Sequence, residues 1–429
     1  MKATVLSLLL FLSVAEALGQ PARSLDYYLD AAKENSPLIK EYRSQQELSD
    51  IEVERLKAIY SRSRVDFTAQ YSFVPIISLD NSQKKFLWNG KEANDYIGYD
   101  LANENSILAG NINWTKPLLG GAQMKSSTAR AQIDKSIALN DIKLQEHELE
   151  KIVTDQYLLC LLDLESVKYA SATDTLLSGQ LDVLQRLAAK GLVRQSELSL
   201  LDIEVQANRE QLESFNQSYF SNLLDLNILC GIGSVERVSL APVALSPDPE
   251  GGTQESRFAE KFRLDSLSLL AKQREFEAQY KPSLNAFANA GLNASYLPDT
   301  YKRFGMSAGV LFAVPIYDGH QKRLAAQESK IAVRNLSDYK ANFLTQREVN
   351  RAKYVAQMAS YDRREALLRQ QLDRYDKVLA DYRKLMAAGE VSVVDYLLVV
   401  KNRMQTQKDY IVLQANSSLL ISSFNYWNW

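Results

Sequence analysis

Apolar side chains fall on every second position from Val65 to Phe73, where Val65, Phe67, Ala69, Tyr71 and Phe73 alternate with Asp66, Thr68, Gln70 and Ser72. The same period of two runs through Leu284, Ala286, Ala288, Ala290, Leu292 and Ala294, set against Asn285, Phe287, Asn289, Gly291, Asn293 and Ser295. Each run has a partner, Leu108, Gly110, Ile112 and Trp114 for the first and Phe304, Met306, Ala308, Val310, Phe312 and Val314 for the second. Successive side chains of a strand point to opposite faces, so these patterns predict two-faced strands at about 64–74, 106–116, 283–296 and 304–314. Each is about ten residues, the length a tilted strand needs to cross a bilayer, and Tyr71, Trp114, Tyr296 and Phe312 fall towards strand ends, where interfacial aromatics sit. A half-buried hairpin in water alternates in the same way, and the pattern alone leaves both open.

Elsewhere the period lengthens. Leu368, Leu372, Tyr375, Leu379, Tyr382 and Met386 are spaced alternately by four and three, a heptad seam, and Leu177, Leu181, Leu184 and Ala188 make a shorter one. Residues 118–241 and 316–429 contain no proline. Between 122 and 230 the only glycines are Gly179 and Gly191, and between 320 and 429 the only one is Gly389. Two helical hairpins follow, 121–231 and 319–428, turning at Gly191 and Gly389. The ascending arms would be on the order of 100 Å long and the descending arms only about 57 Å. Helices at 25–59 and 256–280 are expected to stack on the shorter arms and complete them.

The chain is two copies of one plan. Pro117, Gly121, Gln123, Gly191, Val193 and Asn227 each recur 198 positions later as Pro315, Gly319, Gln321, Gly389, Val391 and Asn425. Tyr60 and Tyr280 pair at an offset of 220, so the first copy carries 22 extra residues before Pro117. The expected organisation is a first repeat at 20–231, a Pro- and Gly-rich belt at 232–255 and a second repeat at 256–429. Ahead of these, residues 1–19 combine Lys2, an apolar run from Val5 to Val14 and the small residues Ala17 and Gly19, which predicts a signal peptide.

Composition narrows the chemistry. Lys and Arg number 50 against 52 Asp and Glu, a formal charge of −2, which leaves no basic excess to neutralise a nucleic acid. Later windows contain too few consecutive apolar residues for a membrane helix, so a membrane crossing would have to use strands. Cys160 and Cys230, both in apolar runs, read as buried thiols rather than a disulfide, because they fall at different heights on an antiparallel hairpin. His147 opens an HELEK stretch in which Lys151 occupies the place of the second zinc-binding histidine, and His147 reads as a helix-surface residue. No phosphate loop, nucleophile elbow or CxxC pair is present. The expectation is no catalytic residue, no cofactor and no metal.

Four strands cannot close a barrel, and an open edge in lipid leaves backbone groups unpaired, so the sheet must be shared between chains. At this point the sequence resembles the TolC-type outer-membrane efflux factors over the whole of residues 20–429. The resemblance rests on SLDYYLDAAKENSPLIKEYRS (Ser24 to Ser44), YKPSL (Tyr280 to Leu284), VPIYDGHQKR (Val314 to Arg323) and GEVSVVDYL (Gly389 to Leu397). It implies a mainly α chain with a transmembrane β part, three copies of which form a twelve-strand β-barrel continued by a twelve-helix periplasmic α-barrel. It also implies a homotrimer in outer-membrane lipid that docks on a periplasmic adaptor protein and an inner-membrane pump. Departures are Arg62 where the second copy has Pro282, and Glu197 where it has Asp395.

Two groups of residues are candidates on this basis. The hairpin turns, with Gly191, Leu192, Val193 and Glu197 in one and Gly389, Glu390, Val391, Ser392 and Asp395 in the other, are the expected adaptor-docking tips. Ser392 with Asp395 also fits a plain helix-capping pattern. Asp373, Asp376 and Asp381, just before the second turn, would repeat by threefold symmetry into acidic rings as a lumen gate, or else lie on a solvated helix face. Three functions stay open: an efflux exit duct, the exit of a type I protein-secretion system, and a periplasmic coiled-coil structural protein with no barrel.

Overall fold

The computed structural model describes residues 22–82, 84–87, 93–99, 106–191, 193–248, 256–294, 297–388 and 390–429. The expected signal peptide at 1–19 lies outside the described residues. Two helices occupy the segment read above as one, α1 (Leu25–Asn35) and α2 (Pro37–Ser61). The break at Ser36 has a chemical cause: the Pro37 ring disfavours helical backbone at the residue before it, and Ser36 sits at φ −56° and ψ 118°. Pro37 then occupies a first helical turn, where its missing N–H is no loss.

Strand β1 (Arg64–Phe73) is followed by three short strands, β2 (Ile76–Ser78), β3 (Lys85–Leu87) and β4 (Tyr96–Ile97). These fall in the 22-residue excess of the first copy and form a small sheet of order β3-β2-β4, with Ile76, Leu87 and Ala93 as its core. Strand β5 (Ser106–Leu119) leads into α3 (Gly121–Ala189) and α4 (Gln195–Leu229). Helix α5 (Arg257–Ala278), strands β6 (Ser283–Ala294) and β7 (Phe304–Ala313), and helices α6 (Gln321–Ala387) and α7 (Val393–Asn428) complete the chain. The main sheet has the order β1-β5-β6-β7 and is antiparallel throughout. Strand β5 runs past residue 116 because its pairing with β6 resumes at Leu119↔Leu284, beyond an irregularity at Pro117 that tolerates the absent donor.

Two compact units share the long helices, one made of residues up to Ser44 with Leu139–Lys261 and Asp338–Trp429, the other of Gln45–Ala138 and Phe262–Ser337. In the first, Tyr28 and Ala32 of α1, Val153, Tyr157 and Cys160 of α3, and Leu223 and Leu226 of α4 form one core with Val238 and Leu240. The segment after α4 is therefore pinned at Val238 and Leu240. The Tyr157 hydroxyl donates to the Ala241 carbonyl at 2.6 Å and the Tyr219 hydroxyl to the Val238 carbonyl at 2.5 Å. Where α1 and α4 end, Asn35 Nδ2 donates to the Cys230 carbonyl at 3.0 Å. In the second unit the sheet is joined by α2, α3, α5 and α6, with ion pairs Lys135–Asp50 at 2.5 Å and Arg130–Glu275 at 2.6 Å.

Candidate membrane face and hairpin tips

The register sorts the main sheet into two chemically distinct faces. Phe67 lies opposite Ile112, Ile112 opposite Ala290 and Ala290 opposite Met306, so one apolar row crosses all four strands. The next row on that face, Val65, Trp114, Ala288 and Ala308, is apolar as well. Between these rows, on the other face, Asp66 pairs with Asn113, Asn113 with Asn289 and Asn289 with Ser307. Polar groups there bond to one another: Asn113 Nδ2 donates to Thr68 Oγ1 and Ser307 Oγ to Asn289 Oδ1, both at 3.0 Å. Gly291 is required by the close approach of β5, since a Cβ there would meet the Gly110 carbonyl oxygen and lie 2.6 Å from Asn111 Cα.

Among the described residues nothing covers the apolar face. Phe67 is 72% exposed and Met306 79%, with Val65, Tyr71, Ile112, Val310 and Phe312 also exposed. Ten strand residues at about 3.3 Å each, tilted by about 40°, span roughly 25 Å, the height of an outer-membrane apolar band. Strands β1 and β7 form the two ends of the sheet, each paired on one side only among the described residues. Among the described residues, no helix is long and apolar enough to cross a membrane.

At the other candidate site, Gly191 adopts φ +72°, the left-handed conformation that a side chain resists, and its N–H donates to the Ala188 carbonyl at 2.9 Å. Val193 is half-buried against a core built from Leu184, Leu201, Met386, Val393 and Tyr396, so the two hairpins share one apolar plug just behind their turns. Arg194 stands at the N-cap of α4 without a side-chain bond, and Glu197 lies in the first turn. On the second hairpin the cap is made: Ser392 Oγ accepts the Asp395 N–H at 3.1 Å and donates to Asp395 Oδ2 at 2.7 Å. Glu390 is exposed, Val391 half-buried, and the Glu390 N–H donates to the Leu385 carbonyl at 2.9 Å. Leu192 and Gly389 lie outside the described residues.

The three aspartates stand in different surroundings. Asp376 Oδ1 accepts Arg403 Nε at 2.5 Å, Asp381 lies 3.7 Å from Lys384 Nζ, and Asp373 is exposed. A signal for the Arg403 pair was present in the sequence. Asp376 and Arg403 stand 13 before and 14 after Gly389, and Asp174 and Arg209, paired at 3.0 Å, stand 17 before and 18 after Gly191. Residues at equal distances from a hairpin turn face each other.

His147 is not on the surface. Its ring stacks on Tyr426 at 4.9 Å and on Trp429 at 4.1 Å, and Nε2 lies 3.0 Å from the Tyr426 carbonyl, which can only accept, so Nε2 is the donor there. Phe258 closes the cluster at 5.6 Å from both Tyr426 and Trp427. One turn on, the Glu150 carboxyl is held down to about 2, by His147 at 3.7 Å and by Lys33, whose ammonium donates at 2.5 Å and is the only true hydrogen bond of the two. Burial pushes the thiols of Cys160 and Cys230 up to about 12 each, and both are free. Among the described residues no group of three or more His, Cys, Asp and Glu is placed to hold a metal ion.

No protein-family profile matches the chain and no curated protein sequence does. Solved structures do. The outer membrane protein VceC of Vibrio cholerae matches with a TM-score of 0.70 at 13% identity, over 94% of this chain and 96% of that one. The CmeC outer membrane channel of Campylobacter jejuni matches at 0.67 and 12% identity, over 94% and 85%. The open-state MtrE outer membrane channel of Neisseria gonorrhoeae matches at 0.67 and 12%, over 94% and 88%. The chain therefore has the fold of bacterial outer-membrane channels, mostly helical with a sheet.

Proposed function

We propose that the chain is an outer-membrane exit duct of a tripartite efflux system, without chemistry of its own. The observation that carries this reading is the sheet: an uncovered apolar face backed by a bonded polar face, with pairing capacity left at both ends. Set in lipid, the apolar face is satisfied, whereas β1 and β7 are satisfied only by strands of further copies. Three copies would give twelve strands, with Asp66, Asn113, Asn289 and Ser307 lining a wet lumen. A structural protein confined to the periplasm gives Phe67 and Met306 no partner.

Transport through such a lumen is passive, driven by a pump reached through an adaptor. The two turns are assigned to adaptor docking, with Gly191, Leu192, Val193, Glu197, Gly389, Glu390 and Val391 as its surface and Ser392 and Asp395 shaping the second tip through their cap. Asp373, Asp376 and Asp381 are assigned to the constriction. Because Arg403 already offsets Asp376 and Lys384 lies beside Asp381, repulsion between copies falls mainly on Asp373.

The test is complementation of cells lacking the chain, read as sensitivity to a panel of toxic compounds. Val391→Asp is expected to abolish rescue while the protein stays trimeric and membrane-inserted; full rescue would remove the tip from the mechanism. Retention of a secreted protein in the deletion cells, with no change in compound sensitivity, would move the same duct to type I secretion.

A further inference from the structure

Away from the turns, the four long helices of the first unit follow one another in a row. Asn222 Nδ2 and Asn208 Nδ2 of α4 donate to Asp163 Oδ2 at 2.6 Å and to the Ala170 carbonyl at 3.0 Å on α3. On another face α3 meets α7, where Ser422 Oγ donates to Asp155 Oδ1 at 2.6 Å. Helix α7 then meets α6: the Tyr410 hydroxyl donates to Glu365 Oε1 at 3.2 Å, and the Trp427 carbonyl accepts from Arg347 Nε at 3.1 Å. The order is α4-α3-α7-α6, and its ends are α4 and α6. Only nearer the turns does α4 reach α7, through Glu204 and Lys401 at 2.8 Å.

Each end carries an exposed face. On α4, opposite the side that bonds to α3, Glu210, Ser214, Gln217 and Ser221 follow at the four-three spacing of a coiled-coil seam, and Ile228 is 74% exposed. On α6, opposite the side that bonds to α7, Val349 and Leu367 are 63% and 60% exposed, in line with Ala356, Arg363 and Arg374. The two ends differ in charge. Helix α6 has fifteen Lys and Arg against eight Asp and Glu, whereas α4 has one Arg against six Asp and Glu. Glu210 and Glu213 on α4, and Arg363 and Arg374 on α6, are exposed and make no ion pair among the described residues.

We propose that the row is continued head to tail, the basic α6 face of one copy docking on the acidic α4 face of the next, with Leu367 and Ile228 in an apolar seam flanked by charge pairs. A head-to-tail contact between two different faces closes into a ring when copies are related by rotation, and rotation holds their turns at one height. Glu204 and Lys401 stand 13 and 12 residues beyond Gly191 and Gly389, so the two hairpins are level as well. Glu213 is 22 beyond its turn and Arg363 26 before the other; Glu210 is 19 beyond and Arg374 15 before. Each pair is therefore within about 6 Å in height at 1.5 Å per residue, inside the reach of an arginine. The inference rests on the ring of copies in the duct reading and names the faces that join its helices.

The test uses the full chain in mild detergent. Ser214→Cys is combined in turn with Arg363→Cys, Leu367→Cys and Gln370→Cys, which cover about one helical turn on either side of its height. At least one combination is expected to give disulfide-linked dimers and trimers on a denaturing gel after oxidation, and each single variant none. The native Cys160 and Cys230 are fully buried and stay out of the reaction. Exposed pairs contribute little singly, so charges are reversed together: Glu210→Arg with Glu213→Arg should lower the temperature at which the trimer dissociates, and adding Arg363→Glu with Arg374→Glu should recover most of that loss. A trimer by native mass that gives no linked species from any combination, or a charge loss that the second reversal does not recover, would overturn the inference and leave the duct reading in place. A monomer in the unmodified protein would overturn both.

Discussion

Ala69 and Gln70 are neighbours in β1, yet their side chains leave opposite faces of the sheet, so an arginine at each position tests what lies on each side. Both are exposed, and Ala69 stands opposite Gly110, which offers no side chain to cover a new charge. Ala69 is the sixth of ten residues in its strand. Four residues at about 3.3 Å, tilted by about 40°, leave it roughly 10 Å from the nearer end of the apolar band, farther than an arginine side chain can comfortably carry its charge. An arginine near the bilayer midplane of an outer-membrane barrel destabilises it by about 2–4 kcal/mol. Ala69→Arg is therefore expected to lose about that much per chain, and three times as much per assembly if three copies contribute. Gln70→Arg, facing water, should stay within about 0.5 kcal/mol. Urea titration of the protein refolded into phospholipid vesicles, followed by the loss of its heat-resistant folded band, reads both. Equal effects, or a larger loss at Gln70, would mean that the apolar face does not meet lipid.

Further outcomes follow from the helical unit. With Cys160 and Cys230 buried and their thiols pushed up to about 12, the native protein at pH 8 should resist maleimide labelling, reacting on the order of a hundredfold more slowly than after denaturation; rapid native labelling would show that the core around α1, α3 and α4 opens. Glu150 is held down to about 2 from an ordinary value near 4.5, so the stability it contributes is present above about 4.5 and is lost as pH falls towards 2. Because Glu150 and Lys33 are each more than a third exposed, solvent screening limits that contribution to about 1 kcal/mol or less. The gap in urea midpoint between the native chain and Glu150→Gln should accordingly narrow from pH 6 to pH 3, and a constant gap would remove the carboxylate from the stability of this site.

The parts of the fold legible in the sequence are those written in a short period. The alternation from Val65 to Phe73 reports a sheet with two different surroundings, and the heptad run from Leu368 to Met386 buries Leu372, Leu379 and Met386 as its spacing requires. Strands β2, β3 and β4 left no such trace, because two or three residues are too few to establish a period. The break at Ser36 was marked by Pro37, but a first-turn proline is compatible with a helix start, and only the backbone of Ser36 separates one helix from two. His147 was misplaced for a different reason. Its surroundings come from Tyr426 and Trp429, which lie 279 and 282 residues away, and no local pattern reports a contact of that range. Among the candidate site residues, the cap formed by Ser392 and Asp395 was readable from their spacing. The neutralisation of Asp376 by Arg403 becomes readable once residues are counted outwards from Gly389.

The account stands or falls on the sheet being completed by other copies of the chain. Native mass measurement of the protein extracted from membranes in mild detergent tests this most directly. Three chains per particle are predicted, with the backbone amides of β1 and β7 as slow to exchange as those of β5 and β6. A monomer in which β1 and β7 are equally protected would contradict it.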